Sequence, residues 1–589
     1  MQSITEQLTI LVSNIFANAD FDPKYGEVVV SSRPDLGQFQ CNGALPAAKE
    51  YGRNPREIAQ QIVDELNKET IFKEISLAGP GFINLTLIDE YLAGFVRQMA
   101  DDERLGAGQV AEPRKVIVDY GGANVAKPMH VGHLRAGIIG ESIKRLFRFM
   151  GDDVTGDVHL GDWGTQMGQV IVELSRRAPE LPYFDPDFSG PYPAESPITL
   201  KDLEEIYPAA SKQAKADPAY AEAARLATVE LQNGRSGYRA LWQHFHDVSV
   251  AGLKADYGSL DIEYDLWLGE SDVQDRIPPM IANLQAAGLA EESEGALVVD
   301  ISLPDDNKPT PPLLLQKSDG GFLYGTTDLA TIDHRVQDLH AQLILYVVDH
   351  RQRQHFEQVF RAAYKTGIAP EAVGLEHNYF GTMNGKDGKP FKTREGGVMK
   401  LKDLIALVVE SAFKRMDESH VAEDFDDAER QEVARIVGMA ALKYADLMNQ
   451  RTKDYIFDLD RFSSFEGKTG PYLLYTAVRA RSILSKAQAQ GLRSGELLSP
   501  QVDAERTLML LITQMSNALQ QAYSTRMPNH IAEYAYLLAN EFNRFYNACH
   551  ILRAEDSAVQ SSWLALTELF LAVIEQTLTL LGIEIPERM

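Results

Sequence analysis

The chain has 589 residues, enough for about three to four domains, and its two cysteines support no disulfide framework. Its 57 basic and 84 acidic side chains give a formal net charge of −27, which argues against a protein that coats nucleic acid without specificity. No signal peptide and no apolar run of about 18 residues is found, so a cytoplasmic protein without a membrane span is expected.

Residues 1 to 108 predict a small α+β domain. The predicted elements are a helix over 4–17, a strand at 28–30, a helix over 55–66 and a strand at 82–87. The segment 106–114 contains Gly, Ala, Gln and Pro, and it is predicted to link this domain to the next one.

Residues 109 to 400 predict an α/β domain built on one sheet. The predicted strands are 116–118, 154–160, 296–301, 313–315 and 344–348. A helix over 133–144 follows the first strand, and a largely helical insertion at about 175–295 interrupts the sheet. Ligands are expected at the carboxyl ends of the strands, where an α/β sheet binds them.

From about residue 400 onward the apolar pattern is helical throughout. The predicted helices are 402–416, 429–449, 471–488, 504–524, 531–548 and 562–581. From Asp460 onward there are 11 basic and 13 acidic side chains, a balance of −2. This region is therefore the part of the chain best suited to face a polyanion.

The most informative motif is Met129-His130-Val131-Gly132-His133, between the first strand and its helix. The first amides of a helix have no internal partner and favour phosphate. Gly132 leaves room for a nucleotide, and both imidazoles can donate hydrogen bonds to phosphate oxygens in a transition state. The zincin spacing of a metal site is absent because no Glu follows the first His. By itself the motif is compatible with two classes of enzyme, the nucleotidyltransferases and the class I aminoacyl-tRNA synthetases.

A second cluster is the glycine-rich segment 385–397, which also carries several cations. Glycines permit a loop that closes, and Lys or Arg can neutralise a triphosphate. The segment therefore predicts a phosphate-binding loop, and the alternative is a solvated hairpin turn.

A third cluster contains Tyr324 and Asp328, four residues apart at a predicted helix start. A carboxylate beside a phenol suits a guanidinium, because a carboxylate accepts two parallel hydrogen bonds from that group. Capping of the helix by Asp328 is an alternative explanation that the spacing leaves open.

Five motifs together resemble the signature of arginyl-tRNA synthetases, a family of class I aminoacyl-tRNA synthetases. They span 119–135, 159–166, 323–330, 441–458 and 464–472, and they occur in that order over essentially the whole chain. The resemblance implies an α+β N-terminal domain, an α/β Rossmann-like catalytic domain with a helical insertion, and an all-α C-terminal anticodon-binding domain. The implied bounds are 1–108 for the tRNA-elbow-binding domain, 109–400 for the catalytic domain, 401–458 for a helical linker and 459–589 for the anticodon-binding domain.

The resemblance also implies roles for residues at matching positions. The residues implied in catalysis are His130, His133, Lys127 and Lys392. The residues implied in ATP binding are His130, Gly132, His133, Lys389, Lys392 and Arg394. The residues implied in binding the substrate arginine are Asp119, Asn124, Tyr324, Asp328 and Gln352, with Gln354 as the alternative to the last. Gln40 and Asn42 are implied in tRNA binding.

Two departures from the family pattern stand out. Gly121-Gly122-Ala123 precedes Asn124 where many members have Ser or Pro. The second lysine-rich motif of class I enzymes is degenerate, and its register is open between Lys389 and Lys392. The resemblance implies that Lys127, just before the paired histidines, compensates for the missing final lysine.

The implied reaction activates L-arginine with ATP and transfers it to tRNA(Arg). ATP would arrive with Mg²⁺, and no permanently bound cofactor or metal site is expected. A monomer without a membrane contact is the family expectation. The alternatives are a nucleotidyltransferase with the same histidine signature and a non-catalytic tRNA-binding protein. A nucleotidyltransferase would not need the helical C-terminal region. A non-catalytic tRNA-binding protein is expected to lack the paired histidines or the arginine site, and both are present in this sequence.

Overall fold

The computed structural model describes residues 1–589 except 34, 307–309, 319, 390, 392–398, 420 and 422–423. The chain divides into two compact units. The first comprises Met1–Val110, Met416–Ala440 and Ser464–Met589, and the second comprises Ala111–Arg415 and Ala441–Ser463. The amino-terminal and carboxyl-terminal segments therefore fold within the same unit.

The amino-terminal segment is an antiparallel sheet covered by helices. Its elements are α1 (Ile4–Asn18), β1 (Val28–Val30), β2 (Phe39–Cys41), α2 (Ala44–Tyr51), α3 (Pro55–Leu66), β3 (Phe72–Ala78), β4 (Phe82–Leu87) and α4 (Asp89–Asp101). The strands are ordered β1-β2-β4-β3, and all pairs are antiparallel. Ser3 caps α1, and its buried residues Leu8, Val12 and Ile15 recur at helical spacing, so one face of the helix packs inward.

The second unit begins with a strand and alternates strands with helices. Up to residue 377 its elements are β5 (Lys115–Tyr120), α5 (Val131–Met150), β6 (Asp153–Asp157), α6 (Thr165–Arg177), α7 (Leu200–Ala216), α8 (Pro218–Gln232), α9 (Ser236–Ser259), a 3₁₀ helix (Glu270–Arg276), α10 (Ile277–Ala286), β7 (Glu291–Ser293), β8 (Ala296–Val299), β9 (Leu313–Gln316), α11 (Tyr324–Gln337), β10 (Leu343–Val347), α12 (Arg353–Lys365) and β11 (Gly374–His377).

The centre of this unit is a four-stranded parallel sheet in the order β11-β10-β5-β6. All five residues of β10 and all but the first of β5 are buried, as expected for strands covered on both faces. Because the strands are parallel, Tyr120, Asp157 and Val347 lie at the same edge. The predicted α/β class is confirmed.

Within the predicted insertion at about 175–295, α7, α8 and α9 form one helical group. It packs on α6 through a separate apolar cluster that includes Met167, Leu231, Leu241 and Phe245. This helical group therefore has its own core, whereas α10, also within the predicted bounds, packs in the core that includes β5 and β10.

The prediction that strands 296–301 and 313–315 join the same α/β sheet is wrong. These segments form β8 and β9 of a separate three-stranded antiparallel sheet, in which β8 pairs with both β7 and β9. Only Glu294 and Gly295 separate β7 from β8, and both have positive φ. A two-residue connection gives an antiparallel hairpin, whereas a parallel pair needs a long crossover.

The remaining elements are almost entirely helical. They are β12 (Met383–Asn384), α13 (Leu401–Glu418), α14 (Asp427–Leu447), β13 (Tyr455–Ile456), α15 (Leu459–Phe462), α16 (Gly470–Ala489), α17 (Asp503–Ile512), α18 (Met515–Thr525), α19 (Asn529–Ala548) and α20 (Ser557–Leu580). The single helix predicted over 504–524 is wrong, since α17 ends before Thr513, whose hydroxyl donates to the carbonyl of Leu510.

The helix α20 is long and apolar enough to span a membrane, contrary to the expectation that no such run exists. It packs against α16 and α19, and 44% of its most apolar window is buried within the protein. Core helices of water-soluble proteins meet the same length and composition, so α20 is weak support for a membrane span.

The amino-terminal segment docks directly on the carboxyl-terminal helices. Arg506 of α17 lies 2.5 Å from Oδ1 of Asp89 and donates to the carbonyl of Leu87 at 3.0 Å. Arg97 of α4 donates to the carbonyl of Leu497 at 2.7 Å. These charged contacts hold the first unit together across about 400 residues of sequence.

We expect Gly140→Ala to destabilise the second unit. A Cβ at Gly140 would overlap the ring of Tyr120, so α5 would have to move off β5. Overpacking of this kind costs about 1–3 kcal/mol, which lowers the midpoint of thermal unfolding by about 2–6 °C. The control is Gly258→Ala in α9, where a Cβ meets nothing within 4 Å. Equal midpoints for the two variants would contradict the packing argument.

Candidate active site

The paired histidines lie at the start of α5. His130 is the residue before the helix, and its Nδ1 accepts the Gly132 N–H at 3.0 Å. Nδ1 of His133 accepts the N–H of His130 at 3.2 Å, and the rings stack with centroids 4.0 Å apart. Because each Nδ1 is an acceptor, each neutral imidazole carries its proton on Nε2. The pair thus presents two N–H donors beside a helix N-terminus.

Both imidazoles are held neutral. Burial, together with the nearby His130 and Lys127, lowers the pKa of His133 to about 3. Burial also lowers the pKa of His130. At neutral pH these groups act as hydrogen-bond donors without positive charge.

Gly132 is required by the cap itself. A Cβ there would lie 2.8 Å from Cε1 of His130, so a larger residue would displace the ring that caps α5. The sequence analysis predicts that Gly132 leaves room for a nucleotide. The structure gives a second reason for glycine at this position, which is the space occupied by the His130 ring.

The residues 399–401 run beside the histidines. The N–H of Val131 donates to the carbonyl of Met399 at 3.1 Å, and the N–H of Leu401 donates to Met129 at 3.0 Å. Lys400 and Lys402 both pair with Glu204 of α7, at 2.6 and 3.3 Å. The insertion therefore fixes the chain that follows the glycine-rich segment.

The glycine-rich segment is described only in part. Lys392 and Arg394 lie outside the described residues. Lys389 is exposed, and its backbone N–H donates to Asp387 at 3.1 Å. Lys386, by contrast, lies 3.0 Å from Asp458 and 3.1 Å from Asp460, so its charge is already paired.

Lys127 lies against the insertion. Its Nζ is 4.9 Å from the ring centroid of Tyr207 in α7, a cation–π distance. Asn124 lies beside Gly161, where a Cβ would come within 2.5 Å of its Oδ1, and Val125 donates to the carbonyl of Gly161 at 3.0 Å. The loops after β5 and β6 are thus joined at the edge of the sheet.

Asp119 is buried at the end of β5 and is paired within the protein. Its Oδ2 lies 2.7 Å from Nη2 of Arg335, and the same Nη2 donates to Oδ2 of Asp157 at 2.7 Å. Arg335 belongs to α11 and is 1% exposed. Burial raises the pKa of Asp119, although Arg335 opposes the rise.

Asp328 lies in the second turn of α11, so the capping explanation is excluded. The helix begins at Tyr324, and Leu323 precedes it without a side-chain cap. Oδ2 of Asp328 accepts from Nε2 of His355 at 2.5 Å, and Oδ1 lies 4.0 Å from Nε2 of His159. Asp328 is therefore part of a cluster of titratable groups.

Tyr324 lies near the same cluster and is 62% exposed. Partial burial raises its pKa, and the charges of Glu270, Tyr207 and Asp328 add to the rise. Gln352 directly precedes α12 at the carboxyl end of β10, and both Gln352 and Gln354 are exposed.

Three residues of the cluster around Asp328 are absent from the predicted sites: His159, Glu270 and His355. His159 has a positive φ of 43°, and its buried Nδ1 has no partner among the residues that the structure describes. Strained backbone and an unsatisfied polar atom are features of functional sites. His159 lies in the motif at 159–166, so the sequence offered a signal for it. No motif or residue spacing in the sequence identifies Glu270.

No group of three or more His, Cys, Asp or Glu side chains suited to a metal ion is found within the described part of the chain. In the first unit, the predicted tRNA-contact residues lie on and next to β2. Gln40 donates to Oδ1 of Asn84 at 2.8 Å, and Asn42 is exposed.

The site combines two chemically different halves at one edge of the sheet. One half offers amides and neutral N–H donors at a helix start, which suits phosphate. The other half offers carboxylates around Asp328, which suits a cationic group. Such an arrangement can bring an anionic nucleotide and a guanidinium-bearing molecule together.

Three family models match the chain in order. The "arginyl tRNA synthetase N terminal domain" matches residues 2–87, the "tRNA synthetases class I (R), catalytic domain" matches 96–459, and the "DALR anticodon binding domain" matches 473–589. The fold of the arginyl-tRNA synthetase from Thermus thermophilus is also similar, with a TM-score of 0.80 at 23% identity and full coverage of both chains.

Closer relatives agree over the full length. Arginine–tRNA ligases from Alkaliphilus oremlandii and Maricaulis maris are 53% and 50% identical to this chain, with all of each chain covered. The crystal structure of the arginyl-tRNA synthetase from Plasmodium falciparum aligns over both whole chains, with a TM-score of 0.81 and 26% identity. The chain belongs to the arginyl-tRNA synthetase family, within the class I aminoacyl-tRNA synthetases.

Proposed function

We infer that this chain activates L-arginine with ATP and transfers it to the 3′ end of tRNA(Arg). The arginine carboxylate attacks the α-phosphorus of ATP, which gives arginyl-adenylate and releases pyrophosphate. A terminal ribose hydroxyl of the tRNA then attacks the acyl carbon, and AMP leaves. Family membership over the full chain supports this reaction. The observation that carries it is the pair of neutral Nε2–H donors at one edge of the sheet with Asp328.

We propose that His130 and His133 donate from Nε2 to phosphate oxygens as charge develops during adenylate formation. The stacked rings and the two Nδ1 bonds support this role, since they fix the orientation of both donors before ATP binds. The positive charges come from Lys127, Lys389, Lys392 and Arg394. Mg²⁺ arrives with ATP and is held mainly by phosphate oxygens and water.

The proposed arginine site comprises Asp119, Asn124, Tyr324, Asp328 and Gln352. Asp328 takes the guanidinium through Oδ1, the oxygen that faces His159. Asn124 and Gln352 lie near the backbone groups of the amino acid. Asp119 contributes charge to the site, although one of its oxygens is engaged with Arg335.

Four segments carry separate roles in this proposal. Residues 1–108 bind the tRNA elbow through Gln40 and Asn42, 109–400 perform the chemistry, 401–458 reach toward the stem, and 459–589 bind the anticodon. The near-neutral charge of the last segment supports its role against a polyanion. We propose a cytoplasmic monomer. A nucleotidyltransferase is the weaker alternative, because that activity does not explain the anticodon-binding domain model matched by residues 473–589.

The reaction is tested by ATP–pyrophosphate exchange with each of the twenty amino acids, with and without tRNA. Exchange with arginine alone, and only when tRNA is present, is expected. Exchange with a different amino acid would overturn the proposed pocket. Folded protein without any exchange would reopen the alternatives.

We expect His133→Ala to lower the rate of adenylate formation by about two to four orders of magnitude. The variant loses one oriented donor while the helix keeps its amides, so the fold should persist by circular dichroism. The control is His340→Asn, an exposed imidazole at the amino-terminal end of β10 with φ of 54°. Wild-type exchange by His133→Ala would contradict the catalytic role.

We expect Asp328→Asn to raise the KM for arginine about tenfold or more, with a much smaller effect on the KM for ATP. The amide keeps the size of the side chain and removes its charge. Asp333→Asn is the control, because Asp333 lies on the same helix and pairs with Arg276 at 2.8 Å. Equal changes in both KM values would indicate damage to α11 instead.

A further inference from the structure

The helical insertion holds the backbone that precedes the paired histidines. The N–H of Ala126 donates to Oγ of Ser249 in α9 at 3.0 Å, and both residues are buried. Ala126 has a positive φ of 65°, a conformation that costs energy for a residue with a Cβ. The N–H of Lys127 donates to the carbonyl of Asn124 at 3.3 Å. These contacts fix the point at which the Lys127 side chain leaves the backbone, just before the paired histidines.

A second contact from the insertion holds the far end of the same side chain. Nζ of Lys127 lies 4.9 Å from the ring centroid of Tyr207 in α7, within the range of a cation–π interaction. The Tyr207 ring is partly buried and packs against the apolar cluster of the insertion, which includes Leu203 and Ile206. Because that cluster immobilises the ring, the ring in turn limits where the ammonium group can lie.

The ammonium group of Lys127 is held without being neutralised. Lys127 and Glu204 line the same cavity of about 90 Å³, but the Glu204 carboxylate pairs with Lys400 at 2.6 Å and with Lys402 at 3.3 Å. Within the part of the chain that the structure describes, Lys127 forms no ion pair with a carboxylate. A carboxylate would compete with phosphate for this cation, whereas an aromatic face orients the ammonium group and leaves its charge for a ligand.

We propose that Tyr207 is a positioning residue for adenylate formation, whose ring holds the ammonium group of Lys127 in place for the phosphates of ATP. The inference deepens the proposed function and rests on the role given there to Lys127. Tyr207 acts through the face of its ring, so its hydroxyl is not required. Since the cation is oriented before ATP binds, less ordering is needed when the phosphates arrive.

The first test compares Tyr207→Leu with Tyr207→Phe by arginine-dependent ATP–pyrophosphate exchange in the presence of tRNA. Tyr207→Leu removes the aromatic face and should lower kcat/KM for ATP about 3- to 30-fold, the range of a partly desolvated cation–π contact. Tyr207→Phe keeps the face and should recover most of that loss. The KM for arginine should change by less than about twofold in both variants, because Lys127 serves the phosphates.

A double-mutant cycle with Lys127→Met separates positioning from packing. If Tyr207 acts through Lys127, adding Tyr207→Leu to Lys127→Met should lower kcat/KM for ATP by less than about twofold further. A ring that only fills the apolar cluster would instead be missed equally in both backgrounds. The matched control is Tyr238→Leu, which removes a ring at the edge of the same cluster, 3.9 Å from the guanidinium of Arg235. This control should keep kcat/KM for ATP within about twofold of the wild type.

An unchanged kcat/KM for ATP in Tyr207→Leu would overturn the proposal, as would equal losses in both backgrounds. A loss confined to the KM for arginine would assign Tyr207 to its neighbour Tyr324 instead. Tyr207→Phe as slow as Tyr207→Leu would assign the effect to the hydroxyl, against the proposal.

A variant of unchanged shape covers the case in which Tyr207→Leu fails to fold. Tyr207→pentafluorophenylalanine keeps the ring but removes the negative charge of its face, so it should lower kcat/KM for ATP relative to Tyr207→Phe. Equal rates for these two variants would contradict the proposal. Wild-type exchange by Lys127→Met would instead overturn the role of Lys127 in the proposed function.

Discussion

Arg335 forms the interaction on which the geometry of the site depends. Its guanidinium joins the end of β5 to the end of β6 through Asp119 and Asp157, and the ion triad is almost fully buried. Removing the guanidinium would leave two buried carboxylates without their shared counter-charge, at a cost of about 3–5 kcal/mol. Asp328 lies seven residues earlier on α11, two helical turns, so fixing Arg335 also directs Asp328 toward the same strand ends.

The periodicity of apolar residues predicts most of the helices and strands, because each element must bury one face and so carries its own apolar pattern. Apolar runs identify β5 and β10, and helical spacing identifies most carboxyl-terminal helices. The partners of short strands are harder to predict. β8 and β9 are as apolar as β5 and β10 of the parallel sheet, and only the turn at Glu294-Gly295 shows that β8 pairs antiparallel with β7. A run of apolar residues does not specify which strand it joins.

The candidate site is predictable where a motif is contiguous in sequence. The histidines and Tyr324 with Asp328 lie within short segments, and the structure brings His159 and His355 to the same aspartate. Glu270 is different, since it reaches the site only because its chain pairs with the segment after β6. Contacts between elements distant in sequence arise from packing, which no single-sequence pattern records.

In the proposed reaction, an anionic nucleotide and a cationic amino acid must bind in one site, and neither may weaken the affinity for the other. Positive charge on the histidines, added to that of the lysines and Arg394 proposed to act at the phosphates, would repel the guanidinium in a partly buried site. The low pKa of His133 removes this conflict, because a neutral imidazole stabilises developing phosphate charge by donation alone. The carboxylates around Asp328 are then available to pair with the guanidinium of the substrate. In this proposal, the stacked histidine pair, oriented by hydrogen bonds from backbone amides, serves selectivity for arginine as well as catalysis.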